Sequence, residues 1–155
     1  MTTQNPYMEL RERAFGVTRD MLSASAPGKP WGVIMETGFP EGSFTVVALA
    51  DGNASVYFSS GGGMIGGQAH DDIRDAAMAC VRMSAVLESE LAPASDHRLP
   101  AADETIFYVL TDAGVLTAHA PEDDFGEKRH PLWPMFHAAH GVIAGYRMLE
   151  QSKET

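Results

Sequence analysis

The chain has 155 residues, is 45% hydrophobic and 21% charged, and carries a formal net charge of −10 with a pI near 4.9. That length allows one domain with a real core. The acidity argues against nucleic-acid or anionic-membrane partners, which need clustered Lys and Arg; the lysines are only Lys29, Lys128 and Lys153, and they are scattered.

Residues 7–24 show a helical period, with Tyr7, Leu10, Ala14, Val17 and Met21 on one face and Asn5-Pro6 as a start signal. Ala26 to Pro30 stops that helix. The period then changes to two: Trp31 to Glu36 predicts a first strand, Phe44 to Ala50 a second and Ala54 to Ser59 a third. Asp51-Gly52 is a hairpin signal between the last two. Asp71 to Leu91 predicts a long helix, with Ile73, Ala77, Cys80, Ser84, Leu87 and Leu91 on its apolar stripe. Residues 92–103 read as a loop. Thr105 to Thr111 and Val115 to His119 form a second hairpin. An acidic loop, Glu122-Asp123-Asp124, precedes a last helix from Pro131 to about Leu149.

The order α-β-β-β-α-β-β-α predicts an α+β fold of two layers, a five-stranded antiparallel sheet packed by three helices. Residues 1–155 form one domain, with 1–6 and 150–155 as flexible tails. Strands with apolar residues on both faces, such as Val46 with Val47 and Phe107 with Tyr108, need cover on both sides. Three helices do not obviously supply it, so a homodimer is expected. Cys80 is the single cysteine, which excludes an intramolecular disulfide and any CxxC motif, and it reads as core. The absence of a membrane-length apolar run completes the expectation of a cytoplasmic protein.

Five of the 15 glycines fall between Gly61 and Gly67. Gly61, Gly62, Gly63, Gly66 and Gly67, with His70 behind them, are the candidate ligand-binding residues, since such loops let backbone approach a ligand. The loop lacks the Gly-Lys-Ser/Thr of a phosphate loop, and Asp71 and Asp72 already occupy the helix start. His70 equally suits capping or loop packing. His137 and His140, three apart on one helix face, are candidate metal ligands beside the acidic loop, although no HExxH pattern is present. Gly141 and Gly145 imply a close approach by the sheet or another helix, with a subunit interface as one reading. Glu36, a charge in an apolar strand, reads most simply as outward-facing.

The strings Trp31-Gly32-Val33-Ile34-Met35-Glu36-Thr37-Gly38, Ser60 to Gly67 and His130 to His140 resemble those of an uncharacterised bacterial protein family, a likeness that brings no activity with it. The element order and small acidic chain are similar to type III secretion chaperones. That resemblance implies a homodimer that holds segments of other proteins and uses no catalytic residues. The leading expectation is therefore a non-catalytic interaction module without a cofactor, binding a protein segment. The alternative is a small-ligand site or enzyme at the glycine loop and its nearby histidines.

Overall fold

The period-two runs become strands of a single antiparallel sheet. A computed structural model describes residues 5–22 and 28–153. Its long strands are β1 (Gly32–Phe39), β2 (Gly42–Leu49), β3 (Ala54–Phe58), β6 (Glu104–Thr111) and β7 (Gly114–Pro121). Two further strands, β4 (Gly63–Met64) and β5 (Ala92–Pro93), make the sheet seven-stranded rather than five-stranded, in the order β4-β3-β2-β1-β6-β7-β5. Each is a two-residue edge ladder inside a stretch that reads as loop, too short for periodicity to reveal.

Four α-helices occur among the described residues: α1 (Tyr7–Phe15), α2 (Asp71–Val86), α3 (Glu122–Gly126) and α4 (Trp133–Lys153). Asn5 Oδ1 accepts the Tyr7 N–H at 3.1 Å, which starts α1. This helix is shorter than its period predicts and gives way to a 3-10 turn at Arg19–Met21. The remainder of the expected helix, 23–24, and Ala26-Pro27 of its stop signal lie outside the described residues. So do 1–4 and 154–155 of the expected tails. Asn5 is no tail, since its Nδ2 donates to Ser59 O at 2.6 Å, and 150–153 continue α4. α2 stops at Val86, short of the expected Leu91, and a 3-10 turn follows at Glu88–Glu90.

Strand alternation sorts the core into two clusters. Val33, Met35, Val46, Val56, Phe107 and Val109 pack on one face beneath α2 and α4, with Phe125 of α3. Ile34, Val47, Ile106, Tyr108 and Leu110 pack on the other, against Ala14 and Phe15 of α1 and Ala94. The Phe15 and His97 rings stack there at 3.8 Å between centroids. The sheet thus has a layer on each side, three layers in place of two. The second cover, expected from another subunit, comes from this chain's own first helix and its 94–100 segment. Cys80 is fully buried, and burial pushes its thiol up to about 12.

The two helix glycines face a neighbour within the chain. A Cβ on Gly145 would lie 2.6 Å from Ile73 Cγ1, and one on Gly141 would lie 3.2 Å from Ala76 Cβ. Gly141 and Gly145 therefore accommodate α2, the approach by another helix that their spacing predicts.

Candidate functional site

The glycine run combines a tight turn with a close approach. Phe58 N–H donates to Gly62 O at 3.1 Å and Gly61 N–H to Phe58 O at 2.9 Å, folding the chain back from β3 into β4. Gly61 and Gly62 take φ values of +108° and +83°, which side chains resist. At the far end, a Cβ on Gly67 would lie 2.7 Å from Ile73 Cδ1 and 2.8 Å from Tyr146 Oη. The Gly67 N–H donates to that hydroxyl at 2.9 Å, and the hydroxyl donates to Ala54 O at 2.7 Å. Tyr146 thus closes the loop against β3. The Gly61 and Gly67 amides are committed within the protein and do not face a ligand.

The loop instead forms one wall of a groove. Two adjoining cavities, of about 240 and 440 Å³, share Leu10, Tyr57 and Ile65. α1 contributes Leu10, Arg13 and Ala14 to one side. Val47, Leu49 and Tyr57 lie on the sheet face, and Gly62, Gly63, Ile65 and Gly66 line the glycine side. Ile65 is 72% exposed. Gly61 and Gly67 take no part in the lining.

His70 does not join this groove. It is exposed at the start of α2, where its side chain makes no capping bond, although its carbonyl accepts the Arg74 N–H at 2.9 Å. With Asp71, Asp72, Gly145, Met148 and Leu149 it lines a separate cleft of about 380 Å³.

His137 and His140 are held by rings rather than by carboxylates. His137 lies against Trp133 and Phe136, at 5.6 and 5.8 Å between centroids. His140 lies 4.3 Å from Phe136 and edge-on to Phe44 at 6.2 Å. The acidic stretch forms α3, and Asp124 Oδ1 accepts Arg129 Nε and Nη2 at 3.1 and 2.9 Å. No group of three or more His, Cys, Asp or Glu among the described residues is placed to hold a metal ion. Burial, then the neighbouring His137 and Arg147, holds the His140 imidazole below its usual range, which favours the neutral ring.

The most connected polar cluster was not legible as one. Glu36 is fully buried, not outward-facing, and Arg11 of α1 binds it through Nε at 2.6 Å and Nη2 at 2.8 Å. Thr45 Oγ1 donates to Glu36 Oε2 at 2.8 Å, and Tyr7 Oη lies 2.7 Å from Thr45 Oγ1 and 2.9 Å from Ser43 Oγ. Arg11 Nη2 also donates to the His97 and Arg98 carbonyls, at 2.5 and 3.1 Å, and Tyr108 Oη donates to Arg98 O at 2.6 Å. Burial pulls the Arg11 pKa down, but the bonds and charge of Glu36 prevail and raise it. Tyr108 is pushed up to about 12 by burial and then by Glu36. Both carboxylate oxygens of Glu36 are satisfied, so the cluster clamps α1 and the 97–98 segment to the sheet.

Comparison of the chain with protein-family models, with curated proteins and with solved structures returns no match.

Proposed function

We propose that this protein is a non-catalytic binding module that takes up an apolar segment of another polypeptide in the groove between α1 and the glycine loop. The observation that carries the reading is Ile65, a large aliphatic side chain left 72% exposed beside Leu10 and Tyr57. Exposed apolar side chains gathered in a groove support an interaction site. Among the described residues, the groove lining includes no histidine, carboxylate or cysteine to drive catalysis. The likeness in element order to type III secretion chaperones points the same way.

The test is an array of short peptides probed with purified protein and with the Ile65→Glu variant. Retained peptides should be rich in apolar residues, and Ile65→Glu should lose them while keeping its melting temperature. An empty array, or the same peptides retained by the variant, would refute the reading. A second copy of the chain is the competing occupant. It would show as a dimer in sizing experiments that Ile65→Glu converts to monomer, and that outcome also counts against a foreign segment.

A further inference from the structure

A cavity of about 270 Å³ lies on the other face of the sheet, between α4 and the ends of β2, β3 and β4. It shares only Phe58 with the groove. Its volume is below the roughly 300–1,000 Å³ of pockets for drug-sized ligands, so it suits a smaller molecule. Phe44, Phe58, Met64 and Ile143 supply apolar walls. Glu122 of α3 and Arg147 of α4 supply opposite charges, and His140 lies among them.

Arg147 is exposed, and Glu122 and His140 are half-buried. Neither the Glu122 carboxylate nor the Arg147 guanidinium makes an ion pair or hydrogen bond with a described residue, or with each other. His140 Nε2 is the single buried side-chain polar atom without a partner among the described residues. The other buried side-chain polar groups of the described residues are satisfied, as is general in folded proteins. A guanidinium, a carboxylate and one buried unpartnered ring nitrogen around one apolar cavity describe the ligand by complement: an anion, a cation and an apolar body.

We propose that this cavity binds a free α-amino acid with an apolar side chain. Its carboxylate pairs with Arg147, its ammonium donates to Glu122 and His140, and its side chain packs among Phe44, Phe58, Met64 and Ile143. A carboxylate and a guanidinium form strong charge-assisted bonds. Burial favours a neutral His140, whose unprotonated ring nitrogen can accept a hydrogen bond from an ammonium group. Burial, then Asp123 and Asp103, raises Glu122, and a bound cation would offset that cost of ionisation.

The test is calorimetric titration with phenylalanine and leucine, and with phenylpropanoate and phenylethylamine, which each lack one charged group. The amino acids should bind, and each analogue should bind about tenfold or more weaker. Arg147→Gln and Glu122→Gln should each weaken phenylalanine by about the same factor, with melting temperatures kept. Arg82→Gln, which removes an exposed cation outside the lining, should change nothing. No amino-acid binding, phenylpropanoate binding as tightly as phenylalanine, or full affinity in either cavity variant would overturn the proposal. None of these outcomes bears on the peptide groove.

Discussion

Arg11 presents two nitrogens to the two carboxylate oxygens of Glu36, and neither side chain reaches solvent beyond 2%. Removing an ion pair from water costs several kcal/mol per ion, which the mutual attraction roughly offsets. Losing one partner strands the other. Arg11→Met or Glu36→Gln should therefore lower the unfolding free energy in urea titration by about 3–5 kcal/mol. The double change of Arg11→Met with Glu36→Leu should recover most of that. A double variant no better than the worse single would mean that Thr45 and the 97–98 carbonyls need the charges in their own right.

Glu104 supplies a pH dependence. Hydrogen bonding from Arg98, with further help from the Ala101 amide and His119, holds its carboxyl down to about 2 against an ordinary 4.5. The Arg98 bonds are bidentate, at 2.8 and 2.7 Å, and tie the segment before β6 to the strand. Because the folded value lies below the unfolded one, the contribution is complete above about pH 4.5 and is lost as the pH falls towards 2. Arg98 is largely exposed, so solvent screening leaves about 1 kcal/mol. Glu104→Gln should flatten the melting-temperature profile over that window. An equally steep fall in the variant would assign the acid sensitivity to other carboxylates.

The α2–α4 contact reverses a familiar sign. Glycine to alanine inside a helix usually gains about 0.5–1 kcal/mol. At Gly145 the new methyl would sit 2.6 Å from Ile73 Cγ1, so Gly145→Ala should instead cost about 1–3 kcal/mol through overpacking. Ile73→Ala removes the obstructing atom, and the double variant should fall short of additivity by about 0.5–3 kcal/mol in a thermal-unfolding cycle. A stabilising Gly145→Ala would show that the helices move apart freely.

Long strands and amphipathic helices were legible because their periods repeat. Val33 and Met35 alternate with Ile34 and Glu36, and Ile73, Ala77 and Cys80 mark one side of α2. Two-residue strands repeat nothing, so β4 and β5 left no trace. Arg11 had a local sign: Tyr7, Arg11 and Ala14 have the spacing of one helix face, and all three are buried. What sequence could not supply was its partner, 25 positions away. Gly141 and Gly145 announced that something approaches, without naming α2. Of the expected ligand-binding glycines, Gly62, Gly63 and Gly66 do line a groove, but its other wall comes from α1. Likewise Glu122, His140 and Arg147 come from two helices, and only the fold collects them around one cavity.

Both outermost strands of the sheet are only two residues long, and one of them, β5, ends in Pro93, which has no N–H to offer. A sheet offers other chains a template only along its open rims, and short or proline-bearing rims offer little. β4 covers Val56 and Tyr57 on the rim of β3, and β5 covers Leu116 and Thr117 on the rim of β7. The middle of each outer long strand is thereby taken out of reach of another chain's backbone, on a protein that also displays exposed apolar side chains such as Ile65.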